Sequence, residues 1–78
     1  MSQTYDDVPI TDEMIRLGQF LKLAGAADDG AMARMLLEEE FVRVNGEPET
    51  RRGRQLSIGD EVDVLLPGGA RQLRVSAG

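Results

Sequence analysis

The chain has no cysteine and no histidine. The first absence excludes a disulfide framework, a thiol nucleophile and a thiolate metal site, and the second removes the side chain most often used as a general base near neutral pH. Aromatic residues make up 4% of 78 positions, and Tyr5, Phe20 and Phe41 are too few for the base-stacking platform of an RNA recognition motif. No apolar run approaches membrane-spanning length, and Met1–Asp7 lacks the basic and apolar regions of a signal peptide. A soluble, cytoplasmic protein with no membrane partner is the expectation. The serines at 2, 57 and 76 have no evident activating base, and Pro67-Gly68-Gly69 lacks the lysine and following helix of a phosphate-binding P-loop. Asp28-Asp29 and Glu38-Glu39-Glu40 read as capping or solvated helix surface, because no loop supplies the alternating oxygen ligands of a calcium site. No catalytic residue, metal, cofactor or small-molecule substrate is therefore expected.

Positive charge is also scarce, and its placement is informative. Nine Lys plus Arg stand against 14 Asp plus Glu, for a net charge of −5. Residues 41–58 carry Arg43, Arg51, Arg52 and Arg54 against Glu47 and Glu49, so this stretch is +2 and the remainder is −7. The asymmetry marks a local electrostatic footprint on a chain whose overall balance opposes indiscriminate nucleic-acid binding. At this length one domain, 1–78, with a single modest core is expected.

Residues 1–7 are polar and read as a flexible tail, and Val8-Pro9-Ile10 as a short edge strand where proline is tolerated. Leu17, Phe20, Leu21 and Ala24 follow the i, i+3, i+4, i+7 template, with Gly25 as a stop. The start is open between Thr11, followed by Asp12 and Glu13, and Leu17; the earlier start puts Gly18 inside the helix at a cost of about 1 kcal/mol. A second helix follows Asp28-Asp29-Gly30 and buries Ala33, Leu36 and Leu37, with Met32 and Met35 as gap-filling core. Strands are expected at Phe41–Asn45 and around Glu47–Thr50, the latter an edge because of Pro48, joined by an Asn45-Gly46 hairpin turn. Leu56–Asp60 reads as an ordered turn into Glu61–Leu66, and Pro67-Gly68-Gly69 returns the chain into Ala70–Val75, giving a C-terminal hairpin over 61–75. The fold class is α+β, two helices packed on a small antiparallel sheet. Leu17, Phe20, Leu21, Ala33, Leu36, Leu37, Val42, Val44, Ile58, Val62 and Val64 are the expected core.

In this order the parts over residues 16–62 resemble the RNA-binding domain named for small-subunit ribosomal protein four, the S-four domain. They are Arg16-Leu17 with Phe20-Leu21, Ala33 with Leu36-Leu37, Val42-Arg43-Val44-Asn45-Gly46, and Gly59-Asp60-Glu61-Val62. Leu17–Lys22 and Glu49–Arg54 are similar to small stand-alone bacterial members in particular. The resemblance implies an alpha-L motif, a helix pair beside a strand-loop segment, forming one surface that holds structured RNA by its backbone. It implies ribosomal or transfer RNA as the partner, with the ribosome as a setting. Carried over by position, Arg16 is the basic residue opening the first helix, Arg34 the one following the small core residue of the second, and Arg43 lies on the strand before the turn. Two positions depart from the pattern. Asp29-Gly30 stands where many relatives have Ser-Arg, which removes one implied phosphate contact, and Glu40 stands where glycine is common, which implies a strained or reshaped helix exit.

Guanidinium forks suit phosphate oxygens, so Arg51, Arg52 and Arg54 are read as an RNA-facing loop; the competing reading is a solvated loop paired with Glu47 and Glu49. Gly53 either permits a turn or lets a phosphate approach the backbone. Arg16, Lys22 and Arg34 extend the basic surface across the helices, or serve solubility alone. The candidate RNA-binding residues are thus Arg16, Lys22, Arg34, Arg43, Arg51, Arg52 and Arg54, on a non-catalytic monomer. The alternative is a protein-interaction module whose acidic surface meets a basic partner such as a ribosomal protein.

Overall fold

The computed structural model describes residues 5–66 and 68–78. The chain runs β1 (Asp6–Ile10), β2 (Met14–Arg16), α1 (Leu17–Leu23), α2 (Gly30–Glu38), β3 (Val42–Val44), β4 (Glu47–Pro48), β5 (Gln55–Ser57), β6 (Glu61–Leu66) and β7 (Gly69–Ala77). Five strands form one sheet in the order β1-β7-β6-β3-β4, and β2 pairs with β5 in a separate two-stranded ladder. The α+β arrangement agrees with the sequence expectation. The large sheet is antiparallel except at β1, which pairs in parallel with β7 and places Asp6 opposite Leu73 and Val8 opposite Val75.

Strand alternation creates the core face. Val42 and Val44 of β3 point inward and Arg43 outward. Val42 lies opposite Val64, and Val44 opposite Val62. These valines, with Leu73 and Val75 of β7, share one continuous core with Leu17, Phe20 and Leu21 of α1 and Ala33, Leu36 and Leu37 of α2. The outward face is polar: Arg74 pairs with Asp7 at 3.0 Å and reaches Glu61 at 3.9 Å.

The helices begin where local chemistry permits and end in the same motif. Asp29 Oδ1 accepts the Met32 amide at 2.9 Å, so of the two aspartates able to cap α2 it is Asp29 that does so. At the exit of α1 the Ala26 amide donates to Leu21 O and the Gly25 amide to Lys22 O, a Schellman motif with Gly25 at φ 75°. At the exit of α2 the Phe41 amide donates to Leu36 O and the Glu40 amide to Leu37 O. The residue that must turn left-handed here is Glu40, at φ 59°. A Cβ makes that region unfavourable by roughly 1–2 kcal/mol, so the strain implied by glutamate in place of glycine is present.

Asn45 (φ 51°) and Gly46 (φ 86°) form the expected tight turn between β3 and β4. Asn45 also donates from Nδ2 to Asp60 Oδ1 and accepts the Glu61 amide on Oδ1 at 2.9 Å. Asp60 Oδ2 in turn accepts the Ser57 amide at 2.8 Å. The Asn-Gly and Gly-Asp-Glu motifs are therefore one polar knot joining β3, β5 and β6.

Several expectations need correction. Ile58 is not core: it is 48% exposed, and Leu56 occupies the buried position instead, because the β2–β5 ladder turns Leu56 inward and leaves Ile58 beyond the strand end. Met35 is exposed, and only Met32 packs against the core. Of the stretch read as a flexible tail, residues 1–4 lie outside the described residues, but Asp6 and Asp7 are strand residues held by β7. Pro67 of the expected turn also lies outside the described residues.

Candidate nucleic-acid interface

α1 has no side-chain cap; Arg16 precedes it in extended conformation and makes no capping hydrogen bond. The first helical amides must still find acceptors. They find them in the arginine loop, because the Leu17 amide donates to Arg54 O at 2.8 Å and the Gly18 amide to Arg52 O at 2.9 Å. A Cβ on Gly18 would stand 3.3 Å from Arg52 Cβ, so glycine is what lets the loop lie this close to the helix. The later helix start is the correct one, and Gly18 sits in the first turn for a reason other than helix propensity.

Glu49 fixes the loop's shape. It is the one charged residue buried in the protein among those described, at 7% exposure. Its Oε2 accepts the amides of Thr50 and Arg51 and the Nε of Arg51, at 3.0, 3.1 and 3.1 Å. Its Oε1 accepts Arg51 Nη2 at 3.1 Å and Arg54 Nη1 at 2.8 Å. The Arg51 guanidinium hydrogen bond, with those from Arg54 and the Arg51 amide, outweighs the opposing effect of burial and holds the Glu49 carboxyl at about 2. Of the pairing read as the alternative for this loop, the part with Glu49 holds for Arg51 and Arg54, while Glu47 forms no ion pair among the described residues.

Arg52 lies outside this clamp. It lines a hollow of about 250 Å³ with Arg16, Lys22, Gly18, Gln19, Gly30, Ala33 and Gly53. Three cations from the end of β2, from α1 and from the loop face one space with no carboxylate in its lining. Among the described residues, none of Arg16, Lys22 and Arg52 is held in an ion pair. A Cβ at Gly30 would meet nothing within 4 Å, so the position where the sequence resemblance implies a basic residue leaves the hollow open on the α2 side. Gly53 does not adopt positive φ, and its backbone borders the hollow.

The remaining candidates are dispersed. Arg34 pairs with Glu38 one turn along α2, at 3.3 Å and in the open. Arg43 projects from the outward face of the sheet, opposite Asp63. Sequence reasoning brought seven cations forward, and the fold brings three of them to one hollow. Gln19, which it did not single out, was visible within the quoted motif Leu17–Lys22, and Glu49, named there only as an alternative ion-pair partner, proves to be the residue that shapes the loop.

A helix pair beside a strand and loop is the arrangement the sequence resemblance implies, and comparison with known proteins shows the family. Residues 8–73 match the S4 domain family, and the chain belongs to that family. It is also similar to the probable ribosome maturation protein RlbA of Bacillus subtilis (strain 168), at 53% identity over 57 residues covering 73% of this chain and 80% of that protein. No helix among the described residues is long and apolar enough to cross a membrane.

Proposed function

We propose that the protein is a non-catalytic, cytoplasmic monomer that docks on structured RNA by seating backbone phosphates in the hollow bordered by Arg16, Lys22 and Arg52. The observation that carries this reading is the convergence of three cations from separate stretches of an acidic chain on one carboxylate-free hollow. Arg51 and Arg54 shape the loop and contribute residual charge, while Arg34 and Arg43 are outlying contacts. Phe20 is buried, and Tyr5 and Phe41 are half-buried, so no ring stands exposed for bases to stack on. Recognition is then by charge and by RNA shape, with low sequence specificity and strong salt dependence. The name of the Bacillus relative supports ribosomal RNA over transfer RNA, and an assembling ribosomal particle as the setting.

The test is titration of ribosomal RNA fragments and of transfer RNA with wild type and the Arg16→Ala, Lys22→Ala, Arg52→Ala triple variant at several salt concentrations. Each lost phosphate contact makes the slope of log affinity against log salt shallower by about 0.7–0.9, the range bracketing single-stranded and duplex nucleic acid. Equal slopes on an RNA that wild type binds would remove the hollow from the interface.

A further inference from the structure

On the neighbouring face of α1 the surface changes character. Leu23 and Met14 are 54% and 49% exposed, and with half-buried Ile15 they line a trough of about 200 Å³. Ile58, which has no core role, lines an adjoining hollow, and both hollows share Asp12. A single exposed apolar side chain is ordinary; several gathered around one depression mark an interaction surface. The rim is acidic. Asp12 and Glu13 are exposed, and neither forms an ion pair with a described residue. No lysine or arginine lines either hollow.

We propose that this trough docks a cationic segment of a partner protein, with an apolar side chain of that segment seated against Met14, Ile15 and Leu23 and its basic residues on Asp12 and Glu13. Charge selects this occupant. RNA and anionic lipid would be repelled by the two carboxylates, and a second copy of the chain would bring the same acidic rim and a net charge of −5. The trough is set apart from the cationic hollow but touches it, because Gln19 of α1 borders both. A protein segment seated here would run beside RNA held on the adjacent face of the helix. The inference does not depend on that RNA reading.

The test is amide chemical-shift mapping on the full chain, without RNA, using three synthetic probes: a lysine-leucine peptide, the same peptide with glutamate for lysine, and a lysine-only peptide. The lysine-leucine peptide is expected to shift the amides of Asp12–Ile15, Leu23 and Ile58. Its affinity should fall about tenfold in Leu23→Ser and in the Asp12→Asn, Glu13→Gln double variant, each with an unchanged spectrum elsewhere. The glutamate peptide should not bind, and the lysine-only peptide should bind at least about tenfold more weakly. Shifts centred on Glu38–Glu40, or equal binding by the lysine-only peptide, would overturn the proposal. Concentration-dependent shifts of the trough without any peptide would assign it to a second copy instead and overturn it equally.

Discussion

Arg52 and its neighbours Arg51 and Arg54 share a residue type and a loop, yet they occupy different electrostatic worlds. Arg51 and Arg54 share one buried carboxylate, whereas Arg52 faces the open hollow beside Arg16 and Lys22. Three equal charges in sequence thus become one available charge and two that are half-neutralised. What decides the difference is a glutamate that a charge count treats merely as a subtraction.

The comparison breaks most completely if the clamp is removed. Glu49→Ala deletes an acceptor of five hydrogen bonds, several of them charge-assisted. It should destabilise the domain by about 2 kcal/mol in urea denaturation, a value tempered by the exposure of Arg51. Acid should act on the same group. Because the folded-state carboxyl lies near 2 against a usual 4.5, its contribution is complete above about pH 4.5 and is lost as pH falls through about 2. In Glu49→Gln the part of the acid sensitivity due to this group should vanish. An unchanged acid profile in that variant would count against the clamp.

Next in size is the contrast between single arginines. Arg52→Ala should reduce the salt slope for RNA by about 0.7–0.9 with little change in thermal midpoint, whereas Arg51→Ala should change the slope by less than about half of that. If the two slopes change equally, Glu49 is not partitioning the loop's charge. A gain-of-contact variant sharpens the same point: Gly30→Arg restores the basic residue implied by the family pattern at an unobstructed edge of the hollow, and should steepen the slope by up to about 0.7–0.9. The smallest expected effect lies outside both sets. Glu40→Gly relieves the left-handed exit of α2 and should stabilise by about 1 kcal/mol, with RNA affinity unaffected.

Local chemistry made much of the fold legible. The Asp29 cap, the Asn45-Gly46 turn, the Leu-rich helix faces and the alternating valines of β3 and β6 each follow from residues close together in the chain. Pairings that depend on distant residues were not legible: nothing in Asp6–Ile10 announces a parallel partner at Leu73–Ala77, and the three-residue strands β2 and β5 are too short for periodicity to register. That same hidden ladder explains why Ile58 was placed inside. At the site, residue types could nominate seven cations. Dividing them between a hollow, a clamp, the outward sheet face and, for Arg34, the exposed side of α2 required knowing which carboxylate is buried and which carbonyls meet α1.

The loan of the Arg52 and Arg54 carbonyls to the first amides of α1 makes helix and loop a single cooperative unit. α1 cannot fray from its N-terminus without releasing the loop, and the loop cannot swing away without leaving Leu17 and Gly18 searching for water. The opening free energy of one is therefore the opening free energy of the other. Amide hydrogen exchange at Leu17 and Gly18 becomes a gauge of loop order, and on the proposed phosphate contact at Arg52 it should slow when RNA is added.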